Sequence, residues 1–228
     1  MKYSFILLAG GVGKRMQNTV HKQFLLIGGK PMIIHTLEKV DKIHEIGEII
    51  IVASLEDSKK IKKYCDMYLI NEKPIKFAVN GETRQQSVFN GLKSAKFEQV
   101  ILHESARPLV TKFEFEQIIK EPFENVIFGI GIPFTVCKGD EYILDILERK
   151  ELINVQLPQK FNKALLLACH EKSILNGENF TEDASLIYHY TNQKIKILKG
   201  SENNIKITTP LDLVLAESIY KDLVLKGE

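Results

Sequence analysis

The apolar residues of this chain fall alternately into dense short runs and into spaced stripes. Residues 3–9 form a short, mostly apolar run that stops at Gly10-Gly11, which predicts a buried strand. Residues 31–43 put Ile33, Ile34, Leu37 and Val40 on one face at helical spacing. The same alternation continues, with strands predicted over 48–53, 75–79, 99–103 and 126–133. Helices are predicted between them over 56–64, 85–94 and 112–119. Strands alternating with helices predict an α/β fold: a Rossmann-like, mainly parallel twisted sheet, with right-handed crossovers and helices on both faces.

The rhythm breaks at residues 135–156. There the turn residues Lys138-Gly139-Asp140 separate two β-like runs, which predicts a protruding β-hairpin arm. Beyond it, 162–175 and 183–189 read as helices, 194–198 as a strand and 210–224 as a closing helix. Pro210 sits at that helix's favourable first position. No repeat, low-complexity tract or linker interrupts the chain, so a single domain over 1–228 is expected.

Composition narrows the function. At 228 residues and 44% hydrophobic, the chain can bury one sizeable core. Lys and Arg total 31 against 29 Asp and Glu, which lacks the basic excess of a nucleic-acid binder. An anion site must therefore be built from a few placed cations. Cys65, Cys137 and Cys169 are far apart and odd in number, with no zinc or redox spacing, and predict reduced thiols. The N-terminal run is too short for a signal-peptide core, and no stretch approaches a membrane span. The expectation is a cytoplasmic protein without a membrane partner.

The first predicted strand opens into Leu8-Ala9-Gly10-Gly11-Val12-Gly13-Lys14-Arg15-Met16. A glycine turn at this place lets backbone N–H groups approach phosphates at the carboxyl edge of a parallel sheet. Two familiar loops fail. A dinucleotide fingerprint needs Gly where Met16 stands, and a Walker loop needs Gly at Leu8 and Ser or Thr at Arg15. What remains is a glycine turn followed by Lys14, Arg15 and Lys22. By itself that also fits a plain structural turn.

The string from Leu8 to Met16, continued by Lys22-Gln23-Phe24, resembles the signature of the sugar-nucleotidyltransferase-like superfamily. More narrowly, it is similar to the branch holding 2-C-methyl-D-erythritol 4-phosphate and ribitol-5-phosphate cytidylyltransferases. Further segments agree in order: 31–37 (PMIIHTL), 81–92 (GETRQQSVFNGL), 103–110 (HESARPLV), 156–161 (QLPQKF), 181–185 (TEDAS) and 204–212 (NIKITTPLD). The resemblance implies a single-domain nucleotidyltransferase fold and transfer of a nucleotidyl group from CTP to a small phosphorylated alcohol. It implies Mg²⁺ as cofactor and a homodimer joined through the 135–156 arm. Ala9, Gly10, Gly11, Gly13, Gly81, Ser87 and Ser105 are implied to bind the nucleotide. Arg15, Lys22 and Lys206 are implied to act on the triphosphate, and Glu104 to hold the metal. Arg107, Thr135, Thr208 and Arg149 are implied to meet the acceptor, Arg149 across the dimer.

Elementary chemistry agrees with this cast. A phosphate acceptor is largely dianionic at pH 7, so it needs no strong general base. The obstacle is an anion attacking a polyanion, which alignment and cations relieve. Taken singly, each residue has a plainer reading. Lys22 and Lys206 could be solvated, Arg107 could pair with Glu104, His103 could be a core histidine, and Asp183 could cap or pair within its helix.

Three departures from the family pattern stand out. Glu104 replaces an Asp, the segment 133–138 lacks an Asp before Thr135, and Leu157 replaces a Thr. They fall on the acceptor side and predict a different acceptor, as in surface-polysaccharide synthesis, or one gripped differently. A non-catalytic nucleotide-binding homologue is the alternative from another class.

Overall fold

The computed structural model describes residues 1–11, 21–70 and 73–226. Gly13, Lys14 and Arg15 lie outside the described residues, so the expectations for them do too. The chain begins with β1 (Tyr3–Leu8), a small hairpin of β2 (Leu26–Ile27) and β3 (Lys30–Pro31), and α1 (Met32–Asp41). Then come β4 (Ile46–Ala53), α2 (Leu55–Tyr68), β5 (Ile75–Val79), α3 (Arg84–Ser94), β6 (Gln99–Glu104), α4 (Lys112–Lys120) and β7 (Val126–Gly131). A second hairpin, β8 (Val136–Gly139) and β9 (Ile143–Leu147), precedes β10 (Ile153–Asn162), α5 (Lys163–Leu175), α6 (Asp183–Thr191), β11 (Lys196–Lys199) and α7 (Pro210–Leu225).

Seven strands form one sheet in the order β11-β7-β10-β6-β1-β4-β5. β1 pairs in parallel with β4 and β6, β4 with β5, and β7 with β11. β10 runs antiparallel to both its neighbours, so the sheet is mixed but mainly parallel. The apolar runs in the sequence follow from burial on both faces. Phe5 and Leu7 enter a core shared with α1, α2 and α4, while Ile6, between them, enters a second core shared with α3, α5 and α6. β4 repeats this division, with Ile49 and Ile51 on the first side and Ile50 and Val52 on the second. A third cluster packs α7 and the β2–β3 hairpin around Leu109 and Ile207.

Two boundaries differ from expectation. The arm ends earlier: β8 and β9 form a separate two-stranded sheet over 136–147, and residues 153–156 belong to the main sheet. Secondly, 157–161 carries no strand signal in the sequence, yet β10 inserts between β6 and β7. Pro158 disguises it, since proline donates no ladder hydrogen bond and argues against a central strand. The structure accommodates it where the β10–β7 register shifts, between Gln156 and Lys160.

Phe161 is fully buried on β10 in the second core. Replacing it with Ala should cost about 3–5 kcal/mol through lost burial and the cavity left behind. A urea titration checks this. A midpoint within error of the parent would mean that β10 is not packed as described.

Candidate active site

Parallel strands present their carboxyl ends together, and here β1, β5 and β6 empty into one cleft of about 240 Å³. Its walls are Leu8 at the end of β1 with Gly10 and Gly11 beyond it, residues 81–83 between β5 and α3, Arg84 and Ser87 on α3, and Glu104 at the end of β6 with Ser105 and Ala106. Lys22 and Lys206 close it. Most of the residues implied for the nucleotide thus meet at one place although the sequence scatters them. Gly10 must be glycine, because a Cβ there would lie 2.5 Å from Cβ of Asn80.

Not every expected contact is available. The Ala9 amide donates to the Val52 carbonyl at 2.8 Å and so extends the sheet instead of facing a ligand. The Ser105 amide likewise donates to Leu8 O at 2.9 Å, though Ser105 still lines the cleft. Ser87 braces the rim: its Oγ accepts from the Gly81 amide at 3.0 Å and donates to Thr83 O at 2.9 Å.

Glu104 is the electrostatic centre. One carboxylate oxygen, Oε2, lies 2.7 Å from Nζ of Lys206, and Oε1 accepts from Nε of Arg107 at 3.0 Å. Burial pushes this carboxyl up, but Lys206, Arg107 and Arg84 outweigh burial and hold it below the usual carboxylate range. Arg107 also donates from Nη1 to Asn204 O at 2.6 Å. It is buried and absent from the cleft wall, so its guanidinium ties the 104–107 loop to the 201–206 loop rather than being offered to an acceptor. Gln156 adds to that tie, donating to Ser201 O at 2.9 Å and accepting from the Ser201 amide at 3.1 Å. His103 is fully buried, with Nε2 3.0 Å from Arg107 O. Desolvation drops its pKa to about 4, so it is neutral at pH 7 and supports the loop.

The remaining acceptor candidates lie elsewhere. Thr208 donates from Oγ1 to Asp212 Oδ2 at 2.8 Å and so helps cap α7. Thr135 and Arg149 are exposed at the two ends of the arm, and Arg149 Nη1 donates to Pro133 O at 3.0 Å. None of these three lines the cleft. Leu157 is buried in the second core, so this departure from the family pattern does not touch the cleft.

Arg84 was missed as a site residue. It lines the cleft at the first turn of α3, and Nη1 lies 2.6 Å from Asp183 Oδ2. Asp183 Oδ1 lies 3.0 Å from Nε2 of the fully buried His170. The signal was present, since Arg84 and Asp183 sit inside the quoted segments GETRQQS and TEDAS, but nothing local showed that they meet.

A larger groove of about 900 Å³ runs between α1, α4 and α7, lined in part by Lys30, Lys39, Lys42, Lys112 and Lys199. It contains none of the implied nucleotide residues and lies away from the glycine turn. The smaller cleft has the chemistry. Among the described residues no three His, Cys, Asp or Glu side chains gather to hold a metal, so a cation would take Glu104 and otherwise ligand oxygens. No helix of the described residues is long and apolar enough to cross a membrane.

A glycine turn at the carboxyl edge of a mainly parallel sheet, facing placed lysines and an ionised carboxylate, defines a nucleotide-handling transferase site. The family model of 2-C-methyl-D-erythritol 4-phosphate cytidylyltransferase (IspD) matches residues 4–222. Curated relatives of that name include one from Clostridium botulinum (strain 657 / Type Ba4), 39% identical, covering 97% of this chain and 99% of its own. Another, from Caldanaerobacter subterraneus subsp. tengcongensis, is 36% identical, covering 95% and 98%. The crystal structure of 4-diphosphocytidyl-2C-methyl-D-erythritol synthase from Anaerococcus prevotii superposes with a TM-score of 0.84 at 30% identity, covering 96% of each chain. The chain belongs to the 2-C-methyl-D-erythritol 4-phosphate cytidylyltransferase family and is a CTP-dependent nucleotidyltransferase.

The Asp183 carboxyl is desolvated, yet Arg84 and His170 hold its pKa down at about 2. A depressed carboxylate pKa adds stability above its unfolded value, near 3.8, and loses it as pH falls toward 2. Asp183→Asn should therefore be less stable than the parent at pH 6, and the difference should shrink between pH 4 and 2 by roughly 2 kcal/mol. Urea midpoints across that window read it. A difference independent of pH would contradict the pairing.

Proposed function

We propose that the chain joins CTP to 2-C-methyl-D-erythritol 4-phosphate, releasing pyrophosphate. The observation that carries the reading is the cleft at the strand ends, where Lys22 and Lys206 flank a glycine turn and a buried, ionised Glu104. An oxygen of the acceptor phosphate attacks the α-phosphorus of CTP. That P–O bond forms as the bond to the pyrophosphate oxygen breaks. No base is required, because the attacking phosphate already carries its charge. Lys22 and Lys206 reduce the repulsion between the anions and stabilise charge as the bonds exchange. Gly10 and Gly11 let the backbone approach the phosphates, and Gly81 and Ser87 shape the base-proximal rim. Arg15 is proposed to add to the triphosphate charge clamp.

Mg²⁺ is proposed as cofactor. A single ionised carboxylate, Glu104, fits an ion that takes its other ligands from phosphate oxygens and water. Bound there, Mg²⁺ supplies further neutralisation of the triphosphate charge. The reading includes a cytoplasmic setting. It also includes a homodimer through the β8–β9 hairpin, supported by Tyr142, Ile143, Leu144 and Ile146, each about 70% exposed or more. In the dimer, Arg149 and Thr135 of the hairpin's ends would serve the partner's acceptor site.

Pyrophosphate release with CTP and Mg²⁺ tests the acceptor. Methylerythritol phosphate should turn over at least tenfold faster than ribitol 5-phosphate, and the reverse order would reject it. Lys206→Ala should lower kcat by about 10²–10³-fold, and a kcat near the parent value would remove Lys206 from the reaction. Changing both Ile143 and Ile146 to Lys should convert a dimer to a monomer by light scattering. An unchanged mass would place the interface elsewhere.

A further inference from the structure

Lys22 stands on a short turn of 3-10 helix, Lys22–Phe24, directly after residues 12–20 and far in sequence from the walls supplied by residues 81–87, 104–106 and 206. A lysine has a long flexible stem and loses about 2 kcal/mol of rotamer entropy when fixed. A lysine that must meet a triphosphate therefore gains from having its backbone held beforehand. The side chains on either side of Lys22 supply that hold. His21 Nδ1 lies 2.8 Å from Oδ2 of Asp57 and 3.0 Å from Oδ1. Gln23, which is fully buried, donates from Nε2 to the same Oδ2 at 3.0 Å. Phe24 enters the first core beside Tyr64, with ring centroids 6.0 Å apart. The turn closes on itself through Phe24 N to His21 O at 2.9 Å and Leu25 N to Lys22 O at 3.1 Å. Its other side chains thus point into the protein, while Lys22 lines the cleft. The Lys22 stem lies against the glycine turn: a Cβ on Gly11 would come within 3.0 Å of Lys22 Cε.

Asp57 is itself fixed. It lies in the first turn of α2, and its amide donates to Oγ of the capping Ser54 at 3.0 Å. An acid in a helix's first turn is favourable on its own account. That explains why a carboxylate is tolerated there. It does not explain why this carboxylate is buried and grips both sequence neighbours of one lysine from a distant loop.

We propose that Asp57 is a positioning residue for Lys22, clamping His21 and Gln23 so that the lysine amine is directed at the triphosphate over the Gly10–Gly11 turn. The inference rests on the reading that Lys22 meets the triphosphate. It adds that α2, which contributes nothing to the cleft wall, sets the geometry of a group in it.

The test uses the full chain with CTP, Mg²⁺ and methylerythritol phosphate. Asp57→Asn keeps the shape and one acceptor oxygen, and His21→Ala removes the more exposed half of the clamp without opening the core. Both should lower kcat by about ten- to a hundredfold, as misplacement of a reacting group does, with KM for the acceptor changed less than threefold. A second readout is acetylation of Lys22 by acetic anhydride, followed by mass spectrometry. CTP should protect Lys22 in the parent and protect it less in Asp57→Asn, a change that loss of stability alone does not produce in a folded sample. Should Asp57→Asn fold poorly, His21→Ala carries the same prediction. Variants with parent-like melting, kcat within twofold of the parent and full protection by CTP overturn the clamp while Lys22→Ala remains inactive. Full turnover in Lys22→Ala instead overturns the reading of the cleft, and the clamp with it.

Discussion

A buried carboxylate is stable as an anion only if charges and donors replace the water it loses, and Glu104 meets that condition at the end of β6. Lys206 takes one of its oxygens and Arg107 the other. Because Arg107 also grips Asn204 O, the two cations bring the 104–107 loop and the 201–206 loop to one point. Such a cluster contributes little net stability beside an apolar packing of the same volume, since desolvation cancels most of the Coulomb gain. Its effect is geometric. It holds the Lys206 amine at a fixed distance from the place where phosphates would sit, and removing the carboxylate would leave two cations without their counter-charge.

The fold supplies the rest of that placement. β1 and β6 pair in register to their ends, with Leu8 opposite Glu104, so the glycine turn and the acidic loop leave the sheet side by side. β10 enters antiparallel on the other side of β6. Its Gln156 reaches Ser201 O, and the Leu157 carbonyl accepts from Asn204 Nδ2 at 2.7 Å. The strand that breaks the parallel order is therefore the one that secures the loop carrying Lys206. Lys22 comes from a separate support, a turn anchored to α2 through Asp57. Cations from two separate supports thus converge on one glycine turn, which is what transfer between two anions requires.

The alternating strands and helices were legible because each buried element repeats its own period. Ile33, Ile34, Leu37 and Val40 predicted α1, and the run at 3–9 predicted β1. β10 was not legible, since Pro158 makes a central strand look like a loop and only the register shift in three dimensions accommodates it. For the site, the segments around Gly10, Gly81, Glu104 and Lys206 were visible in sequence, and the fold gathers them. The plain pairing of Arg107 with Glu104 is the one observed. Arg84 with Asp183 and Asp57 with His21 and Gln23 were invisible as pairs, because each contact joins residues tens of positions apart and no local pattern encodes it. Leu157 shows the converse: a departure from the family pattern that suggested altered chemistry lies in the core.

The most direct test is a crystal structure of the protein with CTP and Mg²⁺. The triphosphate should lie over Gly10 and Gly11, between the amines of Lys22 and Lys206, with the base toward Gly81 and Ser87. Nucleotide bound instead in the lysine-lined groove between α1, α4 and α7, with the cleft at the strand ends empty, would contradict this placement.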